Sequence, residues 1–285
     1  MKISVELSLK LVLMVVACFS LGCNGQKTND KKKPSPKTAS ESSPTDAQLL
    51  DTVQRQTFDY FWEGTEPISG LARERIHTDN VYPNHDKDII TIGGSGFGLM
   101  AILVGIERGF ITREQALERY ERCINFLKKA DRFHGAWPHW LTPDGKMTPF
   151  SEKDNGGDLV ETAFMVQGLL TVMEYFKEGN EREQQLAENI QKLWEEVEWD
   201  WYTQGEDVLY WHWSPEYEWE MDFPVGGYNE ALIMYVLAAA SPTHPIEKTV
   251  YEKGWARDGA IANDTVFYGL NTVLDHYEHD RSPVG

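Results

Sequence analysis

From Asp46 onward the apolar positions recur with a helical period. In "AQLLDTVQRQTFDYFWEG" they fall at Leu49, Leu50, Val53, Phe58 and Phe61, and Gly64 ends the run. "TREQALERYERCINFLKKA" is amphipathic, with Thr112 placed as a cap and Glu114 and Glu118 early in the helix; "EREQQLAENIQKLWEEVEW" is its counterpart. Three other segments, "SGFGLMAILVGI", "DLVETAFMVQGLL" and "YNEALIMYVLAAA", are apolar on nearly every side, as helices buried on several faces are. Each is opened by a glycine pair, Gly93–Gly94, Gly156–Gly157 or Gly226–Gly227, at nearly regular intervals. Apolar inner helices alternating with amphipathic outer ones predict an all-α toroid, and a double glycine suits a sharp start with close backbone approach. Strand signals are scarce; "DVLYWHW" is the best, expected as a short hairpin arm.

If the three inner helices run parallel, their N-termini converge on one end of the molecule. The loops entering that end are long and aromatic, "FHGAWPHWLTPDGKMTPFSEKDN" and "YTQGEDVLYWHWSPEYEWEMDFPV", whereas the opposite connections "ERGFIT" and "FKEGN" are short. Function is therefore expected at the N-terminal ends of the inner helices.

Composition narrows the partner. The 285 residues carry a formal net charge of −18, and no basic patch occurs outside the N-terminal tail, so nucleic acid and polyanionic surfaces are poor partners. A neutral ligand fits better, and 10 Trp, 12 Tyr and 12 Phe offer faces for sugar rings as well as for a core. Three cysteines build neither a disulfide framework nor a cysteine metal site, and "GGSGFG" lacks the Lys-Ser/Thr ending of a phosphate loop. No cofactor is expected.

The N-terminus reads as an address. Two lysines, the apolar stretch Leu11–Phe19 and "SLGC" form an export signal over residues 1–22, with Cys23 as the lipidated residue of a lipoprotein. Residues 23–45, rich in Lys, Ser, Pro and Thr, follow as a flexible tether. The expected location is the periplasm or outer membrane, touching the membrane only through the lipid anchor.

The candidate chemistry gathers ahead of the second and third inner helices. Asp158 and Glu161 are three apart and share a helical face, Asp154 lies one turn earlier or in the preceding loop, and Glu230 enters from the neighbouring inner helix. Carboxylates donated by two adjacent elements into an aromatic cleft meet the needs of glycosidic hydrolysis: one protonates the leaving oxygen, another activates water or attacks the anomeric carbon. Asp-x-x-Glu at a helix start is equally a capping pattern. Asp154, Asn155 and Asp158 could bind calcium but lack EF-hand spacing, and His134 with His139 could bind zinc but has no second ligand cluster. Trp137, Trp140, Trp211 and Trp213 could stack on sugars or pack in the core.

"GLARER" (70–75), "TIGGSGFGLMAILVGIERG" (91–109), "FHGAWPHWL" (133–141), "DNGGDLVETAFMVQGLL" (154–170) and "FPVGGYNEALIMYVLAAASPTHPI" (223–246) resemble the glycoamylase-like family of bacterial enzymes, nearest to the endo-β-1,2-glucanases of glycoside hydrolase family 144. The resemblance implies an (α/α)6 barrel, of which residues 46–285 hold about the first half, and hydrolysis of β-1,2-glucan with inversion. It places Asp154, Asp158 and Glu161 in the family's acidic cluster and Glu230 as general acid, with Arg75, Trp137, His139, Trp140 and Tyr228 in sugar contact. The family's general base lies in the part beyond this chain, so the chain reads as an incomplete enzyme. The alternatives are a surface glycan-binding lipoprotein on the same scaffold and an exo-acting enzyme releasing sophorose.

Overall fold

The computed structural model describes residues 43–227, 229–262 and 266–271. The chain divides after Pro44, and the unit from Thr45 onward carries the fold. The expected signal, Cys23 and nearly all of the expected tether lie outside the described residues, as does Tyr228.

The helices are α1 (Asp46–Trp62), α2 (Ile92–Glu107), α3 (Arg113–Leu127), α4 (Leu159–Phe176), α5 (Glu181–Glu195), α6 (Leu232–Ala240) and the short α7 (Lys248–Val250). The amphipathic ones start where their polar signals stand. Thr45, Thr112 and Asn180 each accept from the backbone three residues on, and Gln48, Gln115 and Glu183 reciprocate, which completes capping boxes on α1, α3 and α5. The inner layer is α2, α4 and α6: α2 packs along α4, and α4 also packs against α6. On the outside α1 covers α2, α3 lies against α2 and α5, and α5 lies against α4. The predicted alternation of inner and outer helices is present, although the described residues do not close into a ring.

Two glycines explain how the inner helices lie so close. A Cβ on Gly96 would strike the Phe164 carbonyl, and one on Gly168 would strike the carbonyl of Gly96. Backbone therefore meets backbone where α2 crosses α4. Gly93 meets Glu161 and Gly96 meets Phe164, so the two helices advance in the same direction and their N-termini lie together.

The three glycine pairs, in contrast, are not equivalent. Gly93–Gly94 lies inside the first turn of α2, Gly156–Gly157 precedes α4 in a loop and strand, and Gly226–Gly227 lies several residues ahead of α6. Each tolerates a different crowding: Gly156 abuts the Trp213 carbonyl, Gly226 the Gly254 carbonyl, and Gly227 holds φ at 80°.

Short strands stitch the long loops to the helix starts. β1 (Ile90–Thr91), β2 (Trp140–Leu141) and β3 (Met147–Thr148) form one antiparallel sheet. β4 (Gly157–Asp158) pairs with β6 (His212–Trp213), and β5 (Leu209–Tyr210) pairs with β7 (Pro224–Val225). "DVLYWHW" is thus not a hairpin arm: its halves serve two different sheets, with Trp211 between them bonded to Phe223 and Leu159.

Candidate active site

The site begins with the start of α4. Asp158 is the N-cap, and its Oδ1 accepts from the Glu161 backbone N–H at 2.9 Å. The capping box is left half made, because the Glu161 side chain does not turn back. It crosses to α2, where Oε2 accepts from the Gly93 N–H at 2.8 Å and satisfies one of the orphan donors of that helix. The absence of a Cβ at Gly93 makes room for the carboxylate.

The other oxygen of Asp158 faces His139, whose Nδ1 lies 2.9 Å away. The same Nδ1 is 3.7 Å from Asp154 Oδ2, and Asp154 Oδ1 is 3.2 Å from Nε2 of the buried His212. Asp154 is placed by its loop: its N–H donates to the Ser151 carbonyl, and its carbonyl accepts from Phe150 N–H. The next residue, Asn155, bonds Ser214 and Glu216 on the neighbouring loop. The Phe150 ring in turn stacks on His139, centroids 4.3 Å apart.

A cavity of about 430 Å³ opens in front of this array. His139, Asp158 and Glu161 line it together with Phe150, Trp211, Phe223, Asn229 and Glu230. Glu230 is solvent-exposed and stands not on α6 but in the turn just ahead of it, where the Asn229 side chain accepts from Ala231 N–H. Asp154 lies behind the wall, buried, and does not line the cavity.

Burial and crowding set the protons. Desolvation, then the neighbouring Asp158 charge, pushes Glu161 up to about 7. Burial likewise raises Asp154, against the pull of His212. Burial works against a charge on His139, but its hydrogen bond to Asp158 and the surrounding carboxylates outweigh it and raise the imidazole to about 9. The cluster therefore holds an imidazolium among carboxylates, one of which exchanges its proton near neutrality. Nδ1 of His139 and one oxygen each of Asp154 and Asp158 lie within 4.8 Å of one another, a spacing that a divalent cation could bridge as well.

The expected site residues divide clearly. Asp158, Glu161, His139 and Glu230 share the cavity, with Asp154 one layer behind. Trp137 is fully buried: its indole N–H donates to the Leu127 carbonyl and Arg132 covers its ring, so it is a core residue and not a sugar contact. Arg75 is exposed and ion-paired with its neighbour Glu74, away from the cavity lining. Trp140 is half-buried with its edge against Phe150, a support for the wall and not part of the lining. His134 does not join His139; it stacks on Trp201 and bonds Glu198. Cys123 is alone and buried, its thiol pushed up to about 12 by burial. Phe150, Phe223, Asn229 and His212 escaped the sequence reading. The alternation of His212 with two tryptophans in a loop leading to an inner helix was the signal that could have found it.

Known proteins are similar to this chain in sequence and fold. The Glycoamylase family model matches residues 222–283. The exo β-1,2-glucooligosaccharide sophorohydrolase (non-reducing end) of Parabacteroides distasonis is 49% identical over 224 residues, which are 77% of this chain and 30% of that protein. The endo-β-1,2-glucanase of Chitinophaga pinensis, solved with sophorotriose and glucose, superposes with a TM-score of 0.78 at 60% identity, covering 80% of this chain and 55% of that one. A β-1,2-glucanase of P. distasonis superposes with a TM-score of 0.74 at 44% identity, over 81% of this chain and 35% of that one. The chain spans about half the length, or less, of these relatives. Over that span, in sequence and in fold, it resembles the glycoamylase-like β-1,2-glucanases.

Proposed function

We propose that this chain carries the acid-lined wall of a cleft that hydrolyses β-1,2-glucan, acting within the chain and with inversion. The observation that carries the reading is the shared cavity: Glu230 from the turn before α6 and Asp158 and Glu161 from the start of α4 line one space of sugar-ring dimensions. Phe150, Trp211 and Phe223 supply apolar faces to the same space. The activities of the relatives support the choice of glucan, and the 60% identity with an endo-acting enzyme favours internal cleavage.

Glu230 protonates the glycosidic oxygen, directly or through a substrate hydroxyl or water, since it is the most exposed of the acids that line the cavity. His139, Asp158 and Glu161 bind sugar hydroxyls and tune the protons around the scissile bond, with Asp154 supporting them from behind. Replacing Glu230 with Gln in the full-length enzyme is expected to lower reducing-sugar release from β-1,2-glucan by about 100-fold or more. Near-normal turnover removes it from the acid role. Calorimetric binding of glucan by the full-length wild-type protein with no product at any time favours a surface glycan-binding protein. Accumulation of sophorose alone from the first turnover favours the exo-acting reading.

The N-terminal pattern supports export and anchoring through Cys23. Mass spectrometry of the membrane fraction from a producing cell checks it, the expected result being an acylated Cys23 as the first residue.

A further inference from the structure

β4 and β6 set His212 directly across from Asp158, yet the imidazole serves a different carboxylate. Its Nε2 lies 3.2 Å from Asp154 Oδ1, with the two side chains 0% and 1% exposed. Neither ring nitrogen of His212 and neither oxygen of Asp154 makes a well-directed hydrogen bond, so the two buried groups meet as an ion-pair contact. Among the described residues no Lys or Arg lies within ion-pair range of Asp154; only His212 and His139 do. His139 is already bonded to Asp158 at 2.9 Å. A buried carboxylate in that position is destabilising unless a partner offsets it, and His212 is the one group free to do so.

We propose that His212 is a positioning residue of the hydrolytic cleft: it holds Asp154 Oδ1 from behind the wall so that Oδ2 faces His139, and through His139 it fixes Asp158 at the sugar. The inference rests on the hydrolase reading given above. His212 itself cannot touch a sugar, being wholly buried. The charged groups around the pair are His139 beside β2, Asp158 on β4 and Glu161 on α4. Without His212 the Asp154 carboxylate either swings away or takes up a proton. His139 then faces one anion fewer, and the distribution of protons over the cleft changes. A side chain that merely fills space has no such effect.

The test compares His212→Ala and His212→Gln with wild type, all in the full-length enzyme, on β-1,2-glucan from about pH 4 to pH 9. Ala removes the contact, whereas a Gln amide N–H can take the place of Nε2 beside Asp154. His212→Ala is expected to lower kcat about 100-fold, with KM within about twofold and a displaced pH optimum, and His212→Gln to recover most of the rate. A folded His212→Ala whose pH profile superposes on the wild-type curve after scaling overturns the proposal. So does a His212→Gln that is no better than Ala. A second readout needs no turnover: the His212 Nε2–H proton resonance of the wild-type chain should lie downfield and move in Asp154→Asn. An identical resonance in both overturns the pairing, even where His212→Ala fails to fold. A full-length wild-type enzyme that releases no sugar while the resonance behaves as expected sinks the hydrolase reading and leaves the pair standing.

Discussion

At the scale of the residue, Asp158 shows why a capping pattern and a catalytic one could not be told apart by spacing. One oxygen caps α4 and the other bonds His139, so both readings hold at once. The cluster also couples stability to pH. Glu161 titrates near 7 in the folded chain, above its ordinary range, so its contribution is fully present below about pH 4.3 and is lost as pH rises through about 7. The His139 contribution is present below about pH 6.5 and is lost as pH rises through about 9. Asp154, also raised, acts in the same direction as Glu161. Calorimetric Tm is therefore expected to fall from mildly acid to mildly alkaline pH, and Glu161→Gln to flatten the part of that slope below neutrality. A Tm that climbs over this range contradicts the assignment. The tryptophans separate just as sharply. Trp137→Ala should cost about 3–5 kcal/mol in urea unfolding, being fully buried. Trp211→Ala, on the cavity wall, should weaken glucan binding by up to about tenfold with a much smaller loss of stability.

Elements meet through glycine. Helix propensity alone says that Gly96→Ala or Gly168→Ala should stabilise α2 or α4 by about 1 kcal/mol. The crossing reverses the sign, because each new methyl would be driven into a backbone carbonyl of the other helix. Both variants are expected to lose about 1–3 kcal/mol in urea unfolding and to move the Glu161–Gly93 contact that joins the two helix starts. Gain of stability in either would mean the helices stand further apart than described. α4 is apolar and long enough to cross a membrane by composition, yet half of it is buried in this fold, where α2, α5 and α6 surround it. Its hydrophobicity is that of a central core helix.

For the whole molecule, the net charge of −18 and an uncharged ligand point the same way. Binding of neutral glucan should change less than about twofold between low and high salt, because no long-range charge attraction is there to be screened. Strong salt dependence, or retention of dextran sulfate, would contradict a neutral substrate.

The hydrophobic periods, the caps and the alternation of apolar with amphipathic helices were legible in the chain, because helix period and capping are local properties that each segment expresses by itself. Asp154, Asp158, Glu161 and Glu230 were legible too, as carboxylates crowded near helix starts, whereas His139 entered the sugar site only with the family resemblance. The sequence alone could not sort the tryptophans: the same indole fills the core at Trp137 and walls the cavity at Trp211. Nor could it show that the glycine pairs stand in three different registers, that Glu230 sits ahead of its helix, or that a histidine across a two-residue strand pair backs Asp154. Those outcomes depend on which backbones approach within van der Waals contact, and that is settled only when distant segments pack against one another.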